Sequence, residues 1–501
     1  MNQPSLPHAL YRADQARALD RAACLQPDLS GRELMERAAR AAQRLVAARW
    51  PQARRVCVLV GGGNNGGDGY ALARLLRRAG REVRVLSLVA PERLRHEAAE
   101  ACRDWRAVGG AIEPWRGGLP EDAELLVDAL LGIGLERPLR EHWAEAVRAL
   151  NAHPAPVLAL DLPTGLHADR GAVLGEVVRA SATISFIVLK QGLLTGAGPG
   201  CCGRLHWDSL GVPETLLVAE PASAQRIDWA SQRACLGTRR RDAHKGQCGH
   251  VLVIGGAPGM SGAARLAGEA ALRAGAGLVT VATHPAHAAL LNLTRPELMV
   301  RGVEHDADLE PLLARADLVA IGPGLGREAW GRGLWRRVRE CRLPLVVDAD
   351  ALNLLAEQPL RRDDWVLTPH PGEAGRLLGC GTAALEADRF AALAALRQKY
   401  GGALVLKGAG SLVADADETP PAVCSDGNPG MATAGAGDVL TGVIAALIGQ
   451  GMDVGGAARV GVCLHAAAGD RAARAGERGM IAGDIIEAVR ALADGRENHH
   501  A

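Results

Sequence analysis

The sequence predicts an α/β protein made of two domains, each built on a parallel β-sheet that helices cover on both faces. Short, fully apolar runs alternate with helical stretches rich in alanine, arginine and leucine. Strands that lack any polar face are typical of parallel sheets with both faces covered. The series weakens near the middle of the 501 residues and then starts again, which indicates two fused domains.

The apolar runs locate the strands in order along the chain. The predicted strands of the first half span residues 56–60, 82–89, 125–128, 157–161 and 182–188, and a helix is predicted at 70–79. A weaker stretch from Val212 to Arg241 follows, so we place the boundary at residue 225 and predict domains at 1–225 and 226–501. The predicted strands of the second half span residues 251–254, 277–282, 318–321, 345–348, 365–368 and 404–406. The halves share no motif, which argues against an internal repeat.

The composition argues against several classes of protein. The 57 basic and 56 acidic residues leave a net charge of +1, so we expect neither a nucleic-acid nor a membrane partner. Aromatic residues, at 3%, are too few for base-stacking platforms. The first residues do not resemble a secretory signal, and the 11 cysteines show no paired C-x-x-C spacing. We therefore expect a cytoplasmic protein with reduced thiols.

The first half contains a glycine-rich loop, GGGNNGGDG at residues 61–69, between a predicted strand and a predicted helix. Glycines let a backbone approach an anion, and the helix N-terminus supplies free N–H groups. The side-chain oxygens of Asn64, Asn65 and Asp68 suit ribose, amide or cation contacts better than bare pyrophosphate. The alternative is a purely structural turn capped by these side chains, but so many glycines are costly without a ligand.

Two further loops follow strands of the same predicted sheet, DALLGIGLERP at 128–138 and DLPTG at 161–165. Asp128 and Asp161 both fall at carboxyl ends of strands, where open α/β sheets place their ligands. An aspartate beside a hydroxyl and amide oxygens also suits a hard monovalent cation. Each aspartate taken alone could equally be a helix cap.

The motifs NNGGDG, DALLGIGL, DLPTGL and TISFIVLKQGL together resemble the NAD(P)H-hydrate epimerase family over residues 10–215. The resemblance implies a Rossmann-like three-layer αβα sheet, substrate binding by the loops and a catalytic role for Asp161. The implied substrate-binding residues are Asn64, Asn65, Gly66, Gly67, Asp68, Gly132, Ile133, Gly134, Leu135, Glu136, Arg137, Pro138 and Asp161. It also implies that Asn65, Asp128 and Thr164 bind K⁺.

Three positions in the first half need separate comment. Ile133 stands where the family usually has threonine, so one hydroxyl contact is lost. Thr164 stands where serine is common and keeps the hydroxyl that K⁺ requires. Lys190 follows an apolar strand, and it is either a contact to a substrate phosphate or a solvated lysine at the end of the strand.

The second half ends its strands in comparable loops, and the most informative is NPGMATAGAGD at 428–438. Gly435, Ala436, Gly437 and Asp438 lead into an apolar helix predicted at 439–448, and such a start offers N–H groups to a phosphoryl group in transfer. Asp438 can cap this helix, or it can take a proton from a substrate hydroxyl.

Three other motifs of the second half allow more than one interpretation. Lys407 and Gly408 open the KGAGS loop, which suits nucleotide phosphates but is also a plain turn. His370, between two prolines, is either a ligand contact or a structural histidine. Asp348 and Asp350 could bind magnesium, but the Ala-Leu-Asn that follows reads equally well as a capped helix start.

The arrangement resembles the ribokinase-like superfamily, and the motifs HKG, GMSGAA, GPGLG, VDADALN, LTPHPGE, KGAGS and NPGMATAGAGD resemble its ADP-dependent NAD(P)H-hydrate dehydratases over residues 240–492. The resemblance implies a ribokinase-like αβα sheet and ADP with Mg²⁺. The implied contacts are Ala263, Gly324, His370 and Asp438 to the hydrated dinucleotide, and Lys407, Gly408, Ala409, Gly410, Ser411 and Gly437 to the adenine nucleotide. Ala436 stands where the family often has threonine, which loses one hydroxyl but no backbone donor.

We therefore expect a bifunctional repair enzyme. Its first domain would interconvert the R and S forms of hydrated NADH and NADPH (NADHX and NADPHX). Its second domain would dehydrate the S form at the expense of ADP, with Asp438 as the catalytic base and AMP and phosphate as products. We also expect a homo-oligomer. The alternative is a ribokinase-type small-molecule kinase with an appended, non-catalytic nucleotide-binding domain.

Overall fold

The computed structural model describes residues 6–26, 28–415 and 419–494, and the chain divides into two compact units, Met1–Gln225 and Arg226–Ala501. The strands of the first unit are β1 (Ala9–Tyr11), β2 (Arg55–Val60), β3 (Glu82–Ser87), β4 (Ile112–Pro114), β5 (Leu125–Ala129), β6 (Val157–Leu160), β7 (Ala182–Phe186), β8 (Leu189–Lys190) and β9 (Arg204–Asp208). Its helices are α1 (Ala13–Cys24), α2 (Gly31–Arg49), α3 (Asn64–Arg78), α4 (His96–Ala107), α5 (Glu141–Ala152), α6 (Gly198–Cys201) and α7 (Glu214–Ala219).

The first unit is organised around a seven-stranded sheet in the order β4-β3-β2-β5-β6-β7-β9, and all neighbouring strands run parallel. Helices α2, α3 and α4 pack on one another, and α5 contributes to a separate apolar cluster with β5. The chain runs outward from β2 to β4 and then restarts at β5 on the other side of β2. This switch point places the loops after β2 and β5 next to each other, where open α/β sheets bind ligands.

Helix α3 begins earlier than the sequence pattern predicts. The prediction placed its start at residue 70, but the helix begins at Asn64, inside the glycine-rich loop. Glycine is unfavourable in a helix interior, yet the first turn lacks intrahelical partners for its N–H groups in any case. The asparagines and Asp68 are therefore held on a helix rather than in a loose turn.

The second unit follows strand β10 (Ala224–Ile227), which crosses the boundary between the units. Its strands are β11 (His250–Ile254), β12 (Leu278–Thr283), β13 (Met299–Gly302), β14 (Leu318–Ile321), β15 (Leu345–Val347), β16 (Trp365–Leu367), β17 (Ala403–Leu406), β18 (Leu412–Ala414) and β19 (Ala422–Cys424). Its helices are α8 (Trp229–Gln232), α9 (Ser261–Arg273), α10 (Pro285–Ala288), α11 (Glu310–Leu313), α12 (Ala329–Val338), α13 (Ala349–Glu357), α14 (Pro371–Leu378), α15 (Thr382–Ala387), α16 (Arg389–Tyr400), α17 (Ala436–Gly449), α18 (Val454–Ala472) and α19 (Ala482–Leu492).

The sheet of this unit runs in the order β13-β12-β11-β14-β15-β16-β17-β18-β19. The strands from β13 to β17 are parallel, as predicted, while β18 and β19 add an antiparallel edge that the sequence analysis did not predict. Helices α9, α17, α18 and α19 pack together and share one apolar core with the strands. Among the described helices, none combines the length and apolar character that a membrane crossing requires.

Candidate active sites

A cavity of about 490 Å³ lies at the carboxyl ends of the strands of the first unit, at the switch point. It brings together eight of the predicted residues, namely Asn64, Asn65, Asp68, Gly132, Ile133, Gly134, Leu135 and Asp161. Its lining also includes Arg17, Asp20, Glu97 and Lys190, of which only Lys190 was considered from the sequence. The remaining predicted residues, Gly66, Gly67, Glu136, Arg137 and Pro138, do not line the cavity.

Glycine has a packing role in this loop as well as an anion-binding one. A Cβ atom at Gly61 would collide with the carbonyl oxygen of Leu130, so only glycine allows the loops after β2 and β5 to approach so closely. Gly67 packs against the side chain of Met35 rather than facing the cavity. Part of the glycine-rich pattern therefore brings the two loops and helices together, and the side chains of Asn64 and Asp68 provide the chemistry.

Asp161 and Lys190 form a buried ion pair in the cavity wall. Lys190 Nζ donates to Asp161 Oδ1, to Ser185 Oγ at 3.2 Å and to the carbonyl of Phe186 at 3.0 Å. The side chains of Lys190 and Asp161 are 3% and 15% exposed, so the interpretation of Lys190 as a solvated lysine is wrong. Asp161 also adopts a left-handed backbone conformation with φ of +66°, a strain typical of functional sites.

Of the predicted K⁺ ligands, Asn65 lines the same cavity as this pair, whereas Asp128 and Thr164 do not. Asp128 is fully buried and accepts from Thr164 Oγ1 at 2.7 Å and from the Thr164 backbone N–H at 2.8 Å. Burial raises the pKa of Asp128 to about 6, against the lowering effect of these hydrogen bonds. The side-chain oxygen and nitrogen of Asn65 are buried without a hydrogen-bond partner among the described residues, and Gly132 lies close to the Cβ and Cγ atoms of Asn65. The unpaired amide of Asn65 and the carboxylate and hydroxyl oxygens of Asp128 and Thr164 are of the ligand types that suit a hard cation such as K⁺.

The site of the second unit is built around the start of α17. Gly435 is the N-cap and has φ of +87°, a conformation that a residue with a side chain rarely adopts. Asp438 lies in the first turn of the helix, and a Cβ atom at Gly437 would lie 3.2 Å from Lys407 Nζ. The turn thus presents backbone N–H groups, one carboxyl group and one ammonium group to the same space.

Asp348 holds the side chain of Lys407 in place, and Thr441 in turn positions Asp348. Lys407 Nζ donates to Asp348 Oδ1 at 2.7 Å, and Thr441 Oγ1 donates to Asp348 Oδ2 at 2.8 Å. Asp350 points elsewhere and accepts from the Gly326 N–H at 2.9 Å. The two aspartates therefore do not converge on one point as a magnesium pair would. Asp348 is the N-cap residue of α13, as the interpretation of a helix start expects, but its side chain makes no capping hydrogen bond.

The electrostatics of this site centre on Asp438. Its pKa is raised to about 7, chiefly by burial and also by the negative charges of Asp348 and Glu373, against the lowering effect of Lys407. Burial likewise raises the pKa of Glu373 to about 6. A carboxyl group with a pKa near neutrality is suited to accept a proton from a substrate hydroxyl at physiological pH.

His370 combines a structural role with an exposed ring. Its Nδ1 accepts from the backbone N–H of Gly372 at 3.0 Å, and the Glu373 carboxylate accepts from the His370 N–H at 2.8 Å, so the two residues cap α14. Half of its side chain is exposed, with Nε2 3.4 Å from Glu373 Oε1. Burial and the charge of Lys407 lower the pKa of His370, so the ring is neutral near pH 7 and can still contact a ligand.

The other predicted residues of the second unit are Ala263, Gly324 and those of the 407–411 loop. Ala263 lies at the start of α9, and its Cβ is 3.2 Å from the position of a Cβ on Gly324. The 407–411 loop is partly exposed and closed by a hydrogen bond from Ser411 Oγ to the Gly408 carbonyl at 3.1 Å. Sequence reasoning missed Arg389, a buried guanidinium that donates to the Lys407 carbonyl at 3.1 Å and supports this loop.

The sequence contains one feature that could have identified Asp20 as a residue of the first cavity. Asp20 lies on the same face of α1 as the buried Ala16 and Ala23, at a spacing of four and three residues. A carboxyl group on the apolar face of an amphipathic helix indicates either a buried partner or a functional site.

Comparisons with known proteins place both units. The model of the NAD(P)H-hydrate dehydratase family matches residues 251–491, and that of the YjeF-related protein N-terminus matches residues 31–192. The bifunctional NAD(P)H-hydrate repair enzyme of Coxiella burnetii is 46% identical over 484 residues, which cover 96% of this chain and 99% of that protein. The enzyme of the same name from Escherichia coli is 46% identical and covers 98% and 95%.

The second unit also resembles solved structures. A ribokinase-like superfamily protein of Enterococcus faecalis is 29% identical, with a TM-score of 0.50. The match covers 54% of this chain and 94% of that protein, so it corresponds to one unit.

Proposed function

The chain belongs to the family of bifunctional NAD(P)H-hydrate repair enzymes, and on that premise we propose which residues carry each reaction. The enzyme repairs hydrated NADH and NADPH: it epimerises the R and S forms and dehydrates the hydrate to the reduced dinucleotide. We assign epimerisation to residues 1–225 and dehydration to residues 226–501. The alternative of a kinase with a non-catalytic appendage leaves the first unit without a role, although near-full-length relatives carry both units.

In the first unit, the cavity at the switch point holds the hydrated nicotinamide nucleotide. Asn64, Asn65 and Asp68 at the start of α3 and residues 132–135 contact the nucleotide, and Asp161 acts on the hydrated ring. The unpaired Asn65, with Asp128 and Thr164, holds K⁺, which supplies positive charge close to the substrate when bound. What supports this assignment is that Asn65, Asp161 and the predicted substrate residues of both segments line one cavity, while Asp128 and Thr164, outside its lining, are hydrogen-bonded to each other.

In the second unit, Asp438 deprotonates the substrate hydroxyl, which is then phosphorylated by ADP. Hydroxide is a poor leaving group, whereas phosphate leaves readily, so this transfer makes the loss of water possible. The N–H groups at the start of α17 and the Lys407 ammonium stabilise the transferring phosphoryl group. Ala263, Gly324 and His370 contact the hydrated dinucleotide, and the 407–411 loop and Gly437 contact the adenine nucleotide.

Magnesium accompanies the nucleotide in this proposal. Within residues 6–26, 28–415 and 419–494, no three histidine, cysteine, aspartate or glutamate side chains are grouped to hold a metal ion. Mg²⁺ is commonly held by substrate phosphates and water with one or two carboxylates, so it needs no cage of this kind. Its chemistry is to neutralise phosphate charge.

The single observation that carries the dehydratase assignment is the carboxyl group of Asp438, with a pKa of about 7, in the first turn of α17 beside Lys407. The test is to supply the R form alone, with ADP, Mg²⁺ and K⁺, and to follow the absorbance of reduced nicotinamide. The intact chain is expected to convert it fully. Asp161→Ala should stop conversion of the R form but not of the S form, and Asp438→Asn should stop both. Conversion of the R form by Asp161→Ala at the intact rate contradicts the assignment.

All 11 cysteines are free thiols, which supports a cytoplasmic enzyme in a reducing compartment. The expected homo-oligomer stays a prediction from the sequence.

A further inference from the structure

Four carboxyl groups line the cavity of the first unit, those of Asp20, Asp68, Glu97 and Asp161, and they differ in their partners. Asp161 is paired with Lys190, as described above. Asp68 and Asp20 form no hydrogen bond or ion pair with any residue of the described ranges, although both line the same cavity. Asp68 is held on the second turn of α3, beyond the predicted cation ligand Asn65. A carboxyl group that faces a ligand cavity and has no protein partner is available to the ligand.

We propose that Asp68 is an acid–base catalyst of the epimerisation, working together with the ion-paired carboxylate of Asp161. This inference rests on the proposed function of the first unit. It adds a catalytic role for Asp68, which the family resemblance implies only as a substrate contact.

The chemistry of the hydrate requires two proton transfers. Addition of water across the double bond next to the ring nitrogen leaves a hydroxyl on the carbon bonded to that nitrogen. Asp68 gives its proton to this hydroxyl, the C–O bond breaks, and the nitrogen lone pair forms a C=N⁺ bond as water leaves. The resulting carbon is planar and has lost its configuration.

Return of water completes the exchange. Water adds to the opposite face of the planar carbon, the π electrons return to nitrogen, and Asp161 takes the proton that the new hydroxyl loses. That proton passes back to Asp68 through solvent in the cavity. The sum of the steps changes only the configuration at carbon, so no further reagent is needed, and the same steps run in reverse.

The charges around the two groups support this division of roles. Burial raises the pKa of Asp68 well above its ordinary value, and the charges of Asp161 and Asp20 raise it further, while Lys190 lowers it. Asp161 instead holds a direct contact to the Lys190 ammonium. The site thus holds one carboxyl group without a protein partner and one paired with a lysine, two different surroundings for an acid and a base in one site.

The test uses the full-length chain with the Asp68→Asn substitution. Interconversion of the purified epimers is followed by chromatography, and dehydration of the S form by the same chain reports that the protein is folded. We expect the kcat of epimerisation to fall by about 10²–10⁴-fold, the range of general acid–base catalysis, with KM nearly unchanged. Asp122→Asn, an exposed aspartate in the same unit, should leave both values as in the natural enzyme.

The pH dependence gives an independent measurement that needs no variant at Asp68. Because Asp68 acts as a protonated acid, the kcat of epimerisation should fall as pH rises through its pKa. Asp20→Asn removes a like charge and lowers the pKa of Asp68, so this fall should move to lower pH. Asp20 itself faces Lys190, Asp161 and Glu97.

Two results would overturn the role of Asp68. One is an Asp68→Asn protein that epimerises at the natural kcat or changes only KM, which would make Asp68 a binding residue. The other is a natural enzyme whose kcat shows no fall at high pH. If the natural enzyme does not epimerise at all above the rate in buffer, the proposed function of the unit fails instead, and the two failures are thus distinct.

Discussion

Replacing Asp438 with asparagine should make the protein more stable and catalytically inactive at the same time. The pKa of Asp438 is about 7 against an ordinary value of 3.8, a difference of about three units, chiefly because the carboxyl group is buried. At about 1.4 kcal/mol per pKa unit, the ionised carboxylate of Asp438 destabilises the folded protein by up to about 4 kcal/mol above neutral pH. Because the folded pKa is raised, the penalty is absent below pH 3.8, grows as pH rises towards 7 and is constant above it.

The assay follows from these values. Thermal unfolding of Asp438→Asn and the natural protein should show a higher Tm for the variant at pH 8 and a difference that disappears towards pH 4. Dehydration of the S form should fall by about 10²–10⁴-fold. In the natural enzyme, kcat/KM for dehydration should rise about tenfold from pH 6 to pH 8, as the ionised fraction of a group with a pKa of about 7 does. Asp306→Asn, an exposed control, should change none of these.

A variant that dehydrates the substrate at the natural rate would refute the role of Asp438. A difference in Tm that stays constant from pH 4 to pH 8 would refute the electrostatic cost. The two readouts are independent, because the first reports on chemistry and the second on the folded protein without substrate.

Three further substitutions test the surroundings of the two sites. Asp348→Asn removes a negative charge near Asp438, so the midpoint of the dehydration pH profile should move to lower pH, and an unchanged midpoint would contradict this coupling. Lys190→Met leaves Asp161 buried and unpaired, so the free energy of unfolding of the first unit, measured with urea, should fall by about 3–5 kcal/mol. An unchanged urea midpoint would contradict a stabilising role of the ion pair. Asn65→Ala should abolish any activation of epimerisation by KCl relative to choline chloride, and retained activation would exclude Asn65 as a ligand.

The positions of the loops could be predicted from the sequence, because apolar strands followed by glycine-rich segments leave few alternatives in a parallel sheet. The switch point between β2 and β5 follows from the order of the strands, and it places the 61–69 and 128–138 segments together. The start of α3 was placed six residues too late, because glycine is a poor helix former except in a first turn.

The side-chain pairings could not be predicted in the same way. Lys190 meets Asp161 across 29 residues, and Lys407 meets Asp348 across 59, so both contacts depend on the tertiary arrangement of strands. Local sequence allowed Lys190 to be either solvated or bound. The free carboxyl groups of Asp20 and Asp68 likewise become visible only when the cavity is formed.

The central claim is that a hydrated dinucleotide and an adenine nucleotide meet at the start of α17. It is tested most directly by a crystal structure of the Asp438→Asn protein with the S form of hydrated NADH, ADP and Mg²⁺. We predict that the substrate hydroxyl lies within hydrogen-bond distance of residue 438, with the ADP phosphates against the N–H groups of Gly437 and the Lys407 ammonium. A substrate bound elsewhere, or a space beside Gly437 and residue 438 that stays empty at saturating ligand, would contradict the claim.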